Sequence, residues 1–479
     1  MAKDFKNFNR AKTQNYGVGL VAVFILLSLT YITMSRTNTM RISVATSQLS
    51  SVPNMNRSIT SGDHSNGPQK DSLEGGILKP EKKPICDFSN RKSDFCEAEG
   101  DVRIIGKDTR MVYVSSSHDQ FGHDGGGDSW TLKPYARKVA AASGAGVREV
   151  TLKLVNGYHG EDSLRCTVNY TVPAVVFAIG GWTGNFFHDF ADVLAPLFQN
   201  AYPFNGEVQF LVANMIPSFI NKYQPILKKL SRYEIIEYDK DDAIRCFKRV
   251  ILGLRLSTAE DFQMNPSNSP HGYSMLDLAS FVKSVYSLER LRPSRITAGA
   301  GGGVEPVKKP RLMLITRART RRFMNAKEIV QMAEELGFEV VVSEANPDVA
   351  KFARIVNSCD VLMGVHGSAL TNMVFLPTNG VVIQVVPWGN LDWIAEHYFK
   401  EPARQMKVNY IEYSINEEET TLSEMYPRDH AVFKDPKSLH RQGWNTYARI
   451  FLREQNVRLD LRRFRPFLER ALQILREIN

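Results

Sequence analysis

A chain of 479 residues with 43% hydrophobic residues can bury more than one core, and at ~100–200 residues per domain it has room for two or three. Its formal charge of +9 is a mild basic excess that suits an anionic ligand. No RNA-binding signature, zinc-finger spacing or long Lys/Arg tract points to nucleic acid.

Residues 16–34, YGVGLVAVFILLSLTYITM, carry no charge and approach the ~20 apolar residues that span a bilayer. Lys3, Lys6, Arg10 and Lys12 precede them against Asp4 alone, which favours a cytosolic N-terminus. A cleaved signal would have a shorter apolar region and a small-residue cleavage site. The expectation is a cytosolic tail (1–15), a single-pass signal anchor (16–34) and a lumenal remainder. Residues 35–83, rich in Ser, Asn, Thr, Gly, Pro and Lys, read as a disordered stem. Asn56-Arg57-Ser58 and Asn169-Tyr170-Thr171 are acceptor triplets for N-glycans. Among five cysteines, Cys86 with Cys96 is the first expected disulfide and Cys166 with Cys246 the second, which leaves Cys359 as a buried thiol. Spacing alone leaves the connectivity open.

Residues 84–292 alternate short apolar runs with helical patterns. AVVFAIGG, EVQFLVAN and FKRVILGLR read as strands, and FFHDFADVLAPLFQNAY and PSFINKYQPILKKLS as helices. Such alternation predicts an α/β domain with a mainly parallel sheet. The Gly- and Pro-rich segment 293–310 reads as a linker. A second series fills 311–479: strands RLMLITR, FEVVVSE, DVLMGVHG and GVVIQVVP, helices between them, one of them opening at Ser368, and a C-terminal helix. Two α/β domains in tandem predict ligands outside the carboxyl ends of the strands.

Three stretches carry candidate chemistry. In GVHGS, Gly364 and Gly367 bracket His366 at a strand end, and Ser368 can cap the next helix. Glycines let backbone approach a ligand, and free N–H groups at a helix start bind phosphate. In ITRARTRRFMN, Arg317, Arg319, Arg321 and Arg322 crowd another strand end, and guanidinium forks match phosphate oxygens. In GGWTGNFFHDFADV, His188 and Asp192 stand four apart on one helix face, beside Asp189, an arrangement that serves acid–base work. Asp239, Asp241 and Asp242 read as a solvated turn. No His/Cys cluster has metal spacing, and no Gly-x-Ser-x-Gly elbow or P-loop is present.

KPICDFSNRKSDFCEAEGDVR, GGWTGNFFHDFADVLAPLF, RLMLITRARTRRFMN and GVHGSALTNMVFLPTNGVVIQVVPWG together resemble the plant family-61 glycosyltransferases, in particular the clade that decorates xylan. The resemblance implies a type II Golgi membrane protein with two Rossmann-like domains facing across a cleft (GT-B type). It implies an inverting transfer of a pentose, arabinofuranose or xylose, from a UDP-sugar to xylan, with no obligatory metal or cofactor. It assigns Arg317, Arg319, Arg321, His366, Gly367 and Ser368 to donor binding, and makes His188, helped by Asp189 or Asp192, the catalytic base. Trp182 and Trp388 are candidates for stacking on sugar or uracil. The family also admits N-glycan or other acceptors and a non-catalytic subunit of a Golgi complex. Oligomeric state, homo-oligomer or synthase complex, stays open.

Overall fold

A computed structural model describes residues 85–115, 127–143, 146–158, 164–294 and 309–478. Among these residues no helix is long and apolar enough to cross a membrane. This corrects the expected fold and placement: no described helix supplies the single transmembrane span on which the Golgi-membrane assignment rested. The segment that suggested it, 16–34, lies outside the described residues, as do the tail, the stem, Asn56 and most of the linker.

Among the described residues fifteen strands form two sheets. In the first half they are β1 (Cys86–Asp87), β2 (Phe95–Ile105), β3 (Met111–Ser115), β4 (Ser129–Leu132), β5 (Val150–Val155), β6 (Val168–Asn169), β7 (Ala174–Ala178), β8 (Gln209–Ala213), β9 (Ile236–Glu237) and β10 (Ile244–Gly253). They order as β4-β5-β3-β2-β10-β7-β8-β9, with β1 on β2 and β6 on β10. Only part of this sheet matches the expected parallel arrangement. β10, β7, β8 and β9 run parallel, whereas β2 is antiparallel to both β10 and β3. The burial pattern gives the reason. β7 and β8 are buried at every position, as a strand covered on both faces must be, while β3 and β5 alternate buried and half-buried residues.

The second half holds β11 (Arg311–Thr316), β12 (Glu339–Glu344), β13 (Val361–Val365), β14 (Val381–Val386) and β15 (Asn409–Ser414). All pairings are parallel, in the order β12-β11-β13-β14-β15. This is a doubly wound sheet whose strand order reverses between β11 and β13. The C-terminal helix Leu461–Glu477 seals it with Phe464, Leu468 and Leu475.

Residues of Glu81–Asn479 group into one compact unit. One apolar core runs between the sheets: Phe190 and Phe210 share it with Ile315, Phe352, Leu370 and Phe375. Cys86 is bonded to Cys96 and Cys166 to Cys246, and Cys359 is a buried free thiol. Asn169 lies exposed on β6. Asp239, read from sequence as part of a solvated turn, instead lies 9% exposed near Arg110 and Arg148.

Candidate active site

The turn after β13 begins with Gly367 at φ 150°, and a 3₁₀ helix, Ser368–Phe375, follows. Gly367 occupies the cap position and no side chain caps the helix, so Ser368 is not the expected N-cap. The first N–H groups of a helix have no intrahelical acceptor, and Ser368 and Ala369 line a cleft. That cleft has a volume of about 500 Å³ and is walled on its other sides by Arg317 and Arg319 after β11, Glu344 at the end of β12, and Phe186 and Lys222 from the first half. It therefore opens at the reversal point of the second sheet, where ligands of such sheets bind.

The arginines divide into two roles. Arg317 and Arg319 face the cleft, and Arg317 is braced by its own Nε donating to Thr320 O at 3.0 Å. Arg321 stands behind the glycine turn and donates to His366 O at 2.7 Å. A Cβ on Gly367 would sit 2.8 Å from the Arg317 guanidinium and 2.9 Å from that of Arg321. Glycine is required here so that two guanidinium groups can close on the turn, as well as for its positive φ. Burial, and then the Arg317 charge, push the Arg321 pKa down to about 9; burial also lowers that of Arg317. No carboxylate forms an ion pair with either among the described residues, although Glu344 acts on Arg317 electrostatically. Two partly desolvated cations on one turn favour an anionic partner over a neutral one.

His366 does not line the cleft. It is 5% exposed, its Nδ1 lies 2.7 Å from Gln384 Nε2, and its ring meets Phe399 edge-on. Burial first, then Arg321 and Arg317, lower its pKa to about 3, so it is neutral at physiological pH. It acts as a post behind the turn and offers its carbonyl to Arg321.

The facing wall is built on one continuous helical run, 186–201, which passes through a π-helical stretch at Asp189–Leu194. Such bulges often mark functional positions. Here the bulge buries both acidic side chains, but in different networks. Asp192, fully buried, accepts from His188 Nδ1 at 2.9 Å, from Arg137 Nε at 2.8 Å and from Tyr135 OH at 3.1 Å. Burial works to raise its pKa, but the His188 hydrogen bond and the Arg137 and Lys92 charges together hold it below the usual carboxylate value. Asp261 shares Arg137 and Lys92. Asp189 points elsewhere: it accepts from Gly184 N, Tyr223 OH and Lys222 Nζ at 2.8, 2.7 and 3.0 Å. Of the two acids considered as helpers of His188, the structure joins only Asp192 to it. Asp189 instead holds Lys222, whose ammonium lies 5.1 Å from the Phe186 ring at the cleft wall.

His188 is 18% exposed, and Trp182 meets its ring edge-on at 4.8 Å. Trp388 sits apart, donating to Val432 O and packing on Phe433. Phe187 bridges the halves, with ring contacts to His188 and to Phe399, which in turn touches His366. Sequence reasoning missed Tyr135, Arg137, Lys92, Asp261 and Lys222. Lys92, Tyr135, Arg137 and Asp261 come from loops or a helix cap with no periodic signal, Lys222 from the end of a helix that the pattern did show, and only the fold gathers them. Among the described residues one group of three metal-ligand side chains is close enough to hold an ion, Asp101 with Cys166 and Cys246, and its two cysteines are bonded to each other.

Of the first half only Phe186 and Lys222 line the cleft; His188, bonded to Asp192, lies two residues beyond Phe186 on the same helical run. A cation-lined cleft at the reversal point of one sheet, with an imidazole–carboxylate pair on the element that walls it, suits group transfer, and comparison with known proteins specifies the class. Residues 185–383, which carry both walls, match the family model Glycosyltransferase 61. The chain is 46% identical over 395 residues to an alpha-1,3-arabinosyltransferase of Oryza sativa subsp. japonica, covering 82% of this chain and 66% of that protein. It is 40% identical over 407 residues to a beta-1,2-xylosyltransferase of the same species, covering 83% and 85%. It is 33% identical over 398 residues to a xylan glycosyltransferase of Arabidopsis thaliana, covering 81% and 79%. The chain belongs to glycosyltransferase family 61; it spans just under two thirds of the length of the first of these relatives.

Proposed function

We propose that the protein transfers a pentose, arabinofuranose or xylose, from a UDP-sugar to a xylan chain with inversion. The relatives named above, two pentosyltransferases and a xylan glycosyltransferase, support the substrate class. The observation that carries the donor assignment is the cleft itself, where Arg317, Arg319 and Lys222 converge without enough carboxylates to neutralise them. In this reading the diphosphate lies against Arg317, Arg319 and the 368–369 backbone, and Lys222 closes on it from the other half. Glu344, which ends β12 and lines the cleft, accepts from ribose hydroxyls in the same reading.

The acceptor hydroxyl attacks C1 of the pentose as the bond from C1 to the diphosphate oxygen breaks. His188 takes the hydroxyl proton, and Asp192 holds the imidazole through Nδ1 and offsets the charge that forms on it. The departing diphosphate's charge is met by the three cations. No divalent ion is assigned a step, and transfer is expected to persist in chelator. The test is incubation with a panel of UDP-sugars and xylo-oligosaccharides, read by mass spectrometry. Gain of one pentose, lost in His188→Ala, supports the reading; transfer of only non-pentose sugars, or full activity in His188→Ala, contradicts it.

A further inference from the structure

A second cavity, of about 690 Å³, lies on the first half, between β2, β10 and the end of the 186–201 helix. Gln199 stands about 16 Å along that helix from His188, at a helical rise per residue. Its basic side chains, Arg249, Arg255 and His271, stand beside three carboxylates, Asp87, Glu97 and Glu99, so its charge is more nearly balanced than that of the donor cleft, and no glycine turn lines it. Gln199 lines it, is 7% exposed, and makes no side-chain hydrogen bond among the described residues. A buried amide normally has partners; here the open side is the cavity. Arg255, half-buried, lies 5.4 Å over the Phe95 ring and forms no ion pair among the described residues. Glu97 and Glu99, both bonded to Arg249, supply acceptors along the floor. Phe95 and Phe204 supply half-buried ring faces. One wall is rigid, because the Cys86–Cys96 disulfide ties β1 to β2 where Asp87 pairs with Phe95.

An amide, a fork of N–H donors, carboxylate acceptors and aromatic faces in one rigid hollow fit an uncharged, hydroxyl-rich ligand better than an anion. We propose that this cavity is a distal binding site for the polysaccharide acceptor, which grips the chain several sugar units from the reacting hydroxyl. It rests on the xylan reading given above. Binding at two places on one chain raises avidity without a new contact at the reaction centre, so an enzyme built this way prefers long acceptors.

Affinity electrophoresis in soluble xylan tests this, with isothermal titration of UDP and melting temperature as controls, on Gln199→Ala and Arg255→Ala. Each variant is expected to weaken xylan retention by about tenfold, the loss of one or two hydrogen bonds, with UDP affinity and melting temperature at parental values. Parental xylan retention in both folded variants would overturn the distal site and leave the xylan reading standing. A parent that binds UDP but not xylan would overturn both.

Discussion

His366 illustrates how a residue can be central to a site without touching its ligand. Its imidazole is held neutral by burial, so the fold prefers the unprotonated form and the unfolded chain does not. With a folded pKa of about 3 against the ordinary 6.5, the unfolded state binds more protons between those values. Stability is then fully present above 6.5 and falls as pH drops below it, by up to about 1.4 kcal/mol per pH unit. Asp261, lowered to about 2, gives stability that is fully present above the ordinary 3.8 and is lost only below it, so its window meets that of His366 only at the acid end. Urea denaturation between about pH 7 and pH 5 should show this slope, and His366→Asn should flatten it; an equal slope in the variant would assign the titration elsewhere. Gly367→Ala makes a different demand. Its Cβ would displace both guanidinium groups from the turn, so UDP binding should be lost even where the variant still folds, as read by titration calorimetry. Parental UDP affinity would show that the turn tolerates a side chain.

The helical run 186–201 was legible from its apolar spacing, and so were β7, which precedes it, and β13, which leads into the Gly367 turn. The His188–Asp192 pair also followed from a spacing of four. The partition of labour inside the run was not legible: Asp189 and Asp192 are three residues apart, yet the π-helical stretch sends them into separate networks. A helix wheel with a constant 3.6 period misplaces them. The short 3₁₀ helix after Gly367 also differs from the capped helix that the sequence predicts: Gly367 holds the cap position and no side chain accepts from the first turn. Arg137 tests the partition. It is 11% exposed and bonds both Asp192 and Asp261. Arg137→Met leaves the buried Asp192 and the partly buried Asp261 each short of a partner and should cost about 3–5 kcal/mol in urea unfolding. A loss under about 1 kcal/mol would rank it with surface ion pairs.

The whole molecule joins a mixed sheet to a doubly wound one through a shared core, and the cleft takes a wall from each. The linear order of strands announced two α/β halves, but the antiparallel extension of the first sheet was hidden, since pairing across distant segments leaves no local pattern. The two walls have separate duties in this account: the second half binds the nucleotide, and the first half moves the proton. UDP affinity by titration calorimetry on Arg317→Ala and His188→Ala tests that division most directly. Arg317→Ala should weaken UDP by about tenfold to a hundredfold, the worth of a charge-assisted contact, while His188→Ala should bind UDP as the parent does and yet fail to transfer. Parental UDP affinity in Arg317→Ala, or lost UDP binding in His188→Ala, would contradict it.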